Sequence, residues 1–166
     1  MDTYRIMTVA THDGEFHIII DNHNIARASG FGTAADLIKR HDPSLDTTAI
    51  KRVDNHPYQN YVLDYYNGDT TALDKIRRSQ SGTEFQKRVW HAMSSIPYGQ
   101  TVSYKQLADI SGNPAAIRAA GTICGLNRLV LLLPCHRILK SDGSIGSYLY
   151  GSAIKESLLR LEGAII

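Results

Sequence analysis

Two kinds of hydrophobic patterning divide this chain. Over residues 5–29, apolar positions gather in short β-rich runs (5–10, Phe16-His17-Ile18-Ile19-Ile20 and 25–29), separated by Asp13-Gly14 and by Asp21-Asn22-His23-Asn24. Asp-Gly between such runs is a hairpin signal, so the pattern predicts a meander of strands. Helices are then predicted over 34–40 and over 57–66, where Tyr58, Tyr61, Val62 and Tyr65 recur at helical spacing and Asn67-Gly68-Asp69 marks the end. An amphipathic stripe of this kind is expected to pack against the sheet rather than to stack on bases.

Helix punctuation dominates the second half. Thr83 followed by Gln86 fits a capping box, opening a helix that carries Phe85, Val89, Trp90 and Met93 and stops at Ile96-Pro97-Tyr98-Gly99. Ser103 and Gln106 form a second box for a short helix running through Ile110 to Ser111-Gly112. Asn113 as cap and Pro114 at the first helical position predict a third helix reaching about Cys124, which completes a helix-turn-helix candidate. Leu129 to Leu133 reads as a buried strand, Ser141-Asp142-Gly143-Ser144 as a turn, and Ser152 as the cap of a last helix bearing Ile154, Leu158, Leu159 and Leu161, with Glu162 at its end. The polar stretch Ser79-Gln80-Ser81-Gly82 is the candidate boundary, giving domains of residues 1–79 and 80–166.

The third helix is short of bulk at Ala115, Ala116, Ala119, Ala120 and Gly121, with Arg118 as its one long cation. Such a helix can lie close to a neighbouring helix or to a DNA groove. It lacks the several long polar side chains that read base edges, so binding to DNA would be nearly indifferent to sequence.

Charge sharpens the division. The first 80 residues hold 9 Lys and Arg against 11 Asp and Glu, and residues 81–166 hold 9 against 5. A basic second half suits an anionic partner such as nucleic acid, although on this number alone ordinary solvated surface charge is the better explanation. With Cys124 and Cys135 the only cysteines, no secretory signal and no apolar run of spanning length, a reducing, soluble compartment is expected. The histidines show no metal-ligand spacing, so no metal is expected and His12, His17, His23, His41, His56 and His91 read as ordinary core or surface residues.

The residues that point to chemistry are Pro134-Cys135-His136-Arg137 at the end of the apolar run. A thiolate is the attacking form of cysteine, and neighbouring cations and a base raise its fraction. Adjacent side chains on a strand point to opposite faces, so one site can use both Cys135 and His136 only if the chain bends, for which Pro134 provides a reason. Glu162 is a candidate to orient the histidine. Cys124 reads as a buried packing residue.

The second half resembles the O6-alkylguanine-DNA alkyltransferase family. The likeness is carried by Ile96-Pro97-Tyr98-Gly99-Gln100-Thr101-Val102-Ser103-Tyr104, Arg118-Ala119-Ala120-Gly121, Asn127, Pro134-Cys135-His136-Arg137, Gly146-Ser147-Tyr148-Leu149-Tyr150-Gly151 and Lys155-Glu156-Ser157-Leu158-Leu159-Arg160-Leu161-Glu162-Gly163. It implies an α/β (α+β) fold with a small ribonuclease-H-like N-terminal domain and a winged-helix-like helix-turn-helix C-terminal domain. It further implies a single-turnover DNA repair methyltransferase in which Cys135 accepts the alkyl group of O6-alkylguanine in double-stranded DNA, with O4-alkylthymine as a further substrate left open.

By the same resemblance, His136 and Glu162 draw off the thiol proton and Tyr104 assists the leaving base. Arg118 replaces the flipped nucleotide while Ala119, Ala120 and Gly121 lie in the minor groove. Asn127 acts as hinge, and Ser141, Tyr148 and Gly151 belong to the pocket loop. No cofactor and no membrane partner are implied; the protein is expected to be a cytoplasmic monomer, nucleoid-associated in a prokaryote, with cooperative binding on DNA left open. Arg128 and Val130 replace prolines common in relatives, which bears on pocket width, and Ala120 replaces a common valine. No cysteine precedes Cys124, so the zinc site that some relatives carry near the N-terminus is not expected.

Overall fold

The structure, a computed structural model, describes residues 3–166. It is a mixed α+β protein of two compact units, one ending at Gln80 and taking in 128–132, the other comprising 81–127 and 133–166.

In the first unit β1 (Arg5–Thr11) and β2 (Gly14–Ile20) form the expected hairpin, in register from Arg5 opposite Ile20 to Thr11 opposite Gly14. Gly14 has a φ of +103°, which a side chain would resist, so the Asp-Gly signal marks a backbone requirement. β3 (Ala26–Phe31) pairs with β2, and a short β4 (Lys51–Arg52), which periodicity did not predict, lies parallel to β1 to give the order β3-β2-β1-β4. Helix α1 (Ala34–His41), capped by Thr33, buries Leu37 and Ile38 with Ile6, Ile19, Ala28 and Ile50. Helix α2 (Pro57–Tyr66) opens with a capping box in which His56 takes the cap position. Tyr58, Val62 and Tyr65 are buried, and Gln59 donates to Thr8 O at 3.0 Å, so the tyrosine stripe is largely core.

The apolar run 129–133 is buried but is not a strand. Leu129 makes an isolated bridge to Ser29, and Leu131 then takes a φ of +73°, which breaks any regular ladder. Half-buried Arg78 compensates the irregular backbone by donating to the carbonyls of Leu132, Leu73 and Ile76.

The second unit follows its punctuation. Helix α3 (Glu84–Ser94) and helix α4 (Tyr104–Ile110) each have the predicted capping box. Helix α5 begins later than expected, at Ile117, and ends at Gly125. Asn113 and Pro114 lie in a turn, closed by Ala116 N–H on Asn113 O at 3.0 Å, and α5 has no side-chain cap. Helix α6 (Ser152–Leu161) is capped by Gly151, at a φ of +98°, rather than by Ser152. A two-stranded parallel sheet, β5 (Val102–Ser103) with β6 (Ile138–Leu139), joins the start of α4 to the chain leaving Cys135. Among the described residues no helix is long and apolar enough to cross a membrane.

Candidate active site

Cys135 opens a single 3-10 turn, Cys135–Arg137, directly after Pro134. Successive side chains in such a turn diverge by about 120° instead of the 180° of a strand, so Cys135 remains partly exposed while His136 is completely buried. Leu133 O anchors the approach, accepting from Cys135 N–H at 2.8 Å and from the buried Asn127 Nδ2 at 3.3 Å.

Helix α6 ends at the same place. His136 Nε2 lies 2.9 Å from Glu162 Oε2, and both side chains are sealed from solvent. Arg137 grips the same carboxylate through Nε to Oε1 at 2.7 Å and a second guanidinium nitrogen to Oε2 at 2.9 Å, and donates to Ile96 O at 2.7 Å. Burial alone would raise the Glu162 pKa, but the bonds and charges of His136 and Arg137 outweigh it and hold the carboxyl well below its ordinary range. Burial also lowers the pKa of His136, against the pull of Glu162, so the imidazole is neutral near pH 7. An ionised carboxylate can only accept, which fixes the hydrogen on Nε2 and leaves the lone pair on Nδ1. Nδ1 has no hydrogen-bond partner among the described residues.

The Ile96-Pro97-Tyr98-Gly99 stop serves the same pair. A side chain on Gly99, whose φ is +83°, would sit 3.1 Å from Glu162 O, so the backbone passes where only glycine fits comfortably. Tyr98 donates to Leu161 O at 3.3 Å and lies beneath the Arg137 guanidinium.

Tyr104, the first residue of α4, is half-buried; burial and the nearby Cys124 and Cys135 raise its pKa, keeping the phenol protonated. Gly121 passes its ring so closely that a Cβ added there would lie 3.6 Å from Cδ1. On α5, Arg118 and Ala119 are exposed, whereas Ala120 is fully buried beside Ile123 and Cys124. Ala120 therefore does not belong with the groove-facing residues predicted around it: two positions from Arg118 on a helix, it turns inward. Cys124 is buried against Met93, with sulfurs 3.9 Å apart, and burial pushes its thiol up to about 12. Ser141 and Gly151 are exposed in the loop before α6, and Tyr148 is half-buried with its ring edge-on to Tyr150. Among the described residues no three His, Cys, Asp or Glu side chains gather as a metal site.

Two residues escaped the sequence reading as members of this cluster, Arg137 as the second clamp on Glu162 and Lys155 as a buried ammonium. Lys155 was discoverable, since Lys155, Leu158, Leu159 and Glu162 share the inward face of α6 at i, i+3, i+4 and i+7.

Residues 84–164 match the family model of the 6-O-methylguanine DNA methyltransferase DNA-binding domain. Through that segment, just under half of its length, the chain is similar to the methylated-DNA–protein-cysteine methyltransferases. A family member from Methanosarcina acetivorans is 42% identical over 100 residues, covering 60% of this chain and 64% of its own length. The bifunctional transcriptional activator/DNA repair enzyme Ada of Escherichia coli is 47% identical over 81 residues, covering 49% of this chain and 23% of its own. The chain thus spans less than two thirds of either relative. The solved O6-methylguanine methyltransferase of Mycobacterium tuberculosis superposes with a TM-score of 0.74 at 26% identity, covering 98% of this chain and 94% of that one. A structure of the mycobacterial protein in complex with DNA gives 0.75, also at 26% identity, covering 96% and 93%. Cys135, His136, Arg137 and Glu162 all lie within the family-matched region.

Proposed function

We propose that this protein repairs DNA by moving the alkyl group of O6-alkylguanine irreversibly onto its own Cys135, once per molecule. The observation that carries the reading is the sealed His136–Glu162 pair, 2.9 Å apart, beside a partly exposed cysteine. The DNA-bound mycobacterial structure supports DNA as the partner.

In this mechanism the Cys135 proton passes through a water to His136 Nδ1, and Glu162 stabilises the imidazolium that forms. The sulfur attacks the carbon bound to guanine O6 in line. An S–C bond forms, the C–O bond breaks, and its electron pair remains on the base. Tyr104 hydrogen-bonds or protonates the departing guanine, which leaves more readily neutral than as an anion. The thioether has no route back, so no second turnover follows.

The target carbon is inside the helix stack, so the nucleotide rotates out at a cost of a few kcal/mol. Arg118 fills the space it leaves. Ala119 and Gly121 let α5 approach the minor groove closely, without base reading, as a lesion found in any sequence requires. Asn127 holds the hinge, and the loop containing Ser141, Tyr148 and Gly151 borders the base. O4-alkylthymine presents the same alkyl–oxygen bond and is the second substrate to test. No step calls for a cofactor.

Incubation with duplex DNA carrying labelled O6-methylguanine tests the reading, with label expected on the Cys135 peptide by mass spectrometry. Tight binding with label retained on DNA would overturn transfer in favour of a lesion sensor.

A further inference from the structure

Lys155 is the one lysine among the described residues whose side chain is completely buried. Removing an ammonium from water is costly unless its hydrogens are taken up and a negative group lies near, so the placement calls for a reason. We propose that Lys155 is a positioning residue of the Cys135 site, its ammonium fastening the 141–151 loop to the backbone leaving Cys135 and serving as counter-charge to the thiolate.

The hydrogen bonds carry the fastening, and the bond to Ile138, three residues beyond Cys135, puts the ammonium on the backbone that leaves the nucleophile. Lys155 Nζ donates to Ile138 O at 2.6 Å, in the strand that follows the Cys135–Arg137 turn, and to Ser147 O at 3.4 Å, in the loop. One cation thus joins two separate stretches of backbone. Gly146 lies over it, where a side chain would come within 3.9 Å of Nζ and 3.4 Å of Lys140 Cγ. The titratable groups in electrostatic reach of the ammonium are Cys135 on the turn, Cys124 on α5 and His136. His136 is neutral, and burial keeps Cys124 protonated, so Cys135 is the neighbour whose negative form offsets the buried charge. Burial lowers the Lys155 pKa, and the two cysteines oppose that shift. The arrangement makes the order of the pocket loop and the charge of the nucleophile share one support.

This inference rests on Cys135 being the reactive group, but its first test does not use DNA transfer. Iodoacetamide forms an S–C bond with the thiolate and releases iodide, so its rate against pH reports the thiolate fraction of Cys135. In Lys155→Met the midpoint should rise by about one pH unit, making reaction about tenfold slower below it. Amide exchange of 141–151 should quicken in the same variant, with α3 and α4 unchanged. An unmoved midpoint would overturn the counter-charge role, and unchanged exchange the clamp.

Should that variant not fold, the wild-type protein answers. The Lys155 ε-methylene resonance is titrated before and after Cys135 is capped with iodoacetamide, and its midpoint should fall once the thiolate has become a neutral thioether. The same midpoint in both forms would sink the coupling. If these results hold while label from methylated DNA never reaches Cys135, the proposed function fails and Lys155 retains its role.

Discussion

His136 and Glu162 meet at 2.9 Å with both side chains closed to solvent, and that contact sets the tautomer of the one base adjacent to Cys135. The pair is twenty-six residues apart in sequence, so its formation depends on the 3-10 turn and the end of α6 arriving together.

Replacing Glu162 by Gln keeps the shape but removes the charge that orders His136 and Arg137. Single-turnover transfer from methylated duplex should slow by about a hundredfold, in the range of general-base contributions. Because Arg137 is left without its anion in a largely buried place, urea unfolding should also show a loss of about 3 kcal/mol. A variant with wild-type transfer would remove Glu162 from the mechanism.

Acid should weaken the fold through this same pair. The Glu162 pKa is depressed in the folded state, so its contribution is present above the ordinary value of 4.5 and is lost as pH falls toward the folded value. The His136 pKa is lowered as well, so the unfolded chain takes up this proton first, and stability falls as pH drops through 6.5. Urea midpoints should therefore decline from pH 7 to pH 4, and Glu162→Gln should flatten the lower part of the curve. A wild-type midpoint independent of pH in that range would contradict the assignment.

Arg118→Ala should distinguish entry into DNA from chemistry. Transfer from duplex should fall about tenfold, corresponding to part of the few kcal/mol that nucleotide rotation costs. Transfer from free O6-methylguanine should be unchanged. Equal losses on both substrates would rule out the base-replacement role.

Gly99→Ala tests the close approach under Glu162. At a φ of +83°, with Glu162 O 3.1 Å from the added carbon, the substitution should cost about 1–3 kcal/mol of stability by urea unfolding. A neutral result would mean that this backbone yields freely.

Local signals were reliable where the residues that decide an element are neighbours in sequence. The Thr83–Gln86 and Ser103–Gln106 capping boxes formed as read, since each needs only one turn of backbone. The Asp13-Gly14 hairpin and helix Pro57–Tyr66 follow for the same reason. Asn113-Pro114 was misleading because its helical start competed with a turn, and α5 begins at Ile117. Leu129 to Leu133 looked like a strand because burial and β-propensity coincide there, yet Leu131 is left-handed and Arg78 takes up a carbonyl that a ladder would have satisfied. Apolar character reports burial, while ladder formation depends on a partner strand that local sequence does not contain.

The site divides along the same line. The sequence by itself determined the nucleophile candidate, its histidine and arginine neighbours, the order of the helices, and, through its motifs, the family resemblance. Only tertiary structure decided that His136 rather than Cys135 turns fully inward, that Arg137 shares Glu162, that Ala120 faces the core beside exposed Arg118, and that Lys155 is buried near Cys135. Motifs record which chemical groups are available, but protonation and reactivity depend on distance and burial. Those quantities exist only after remote segments have packed and displaced the water between them.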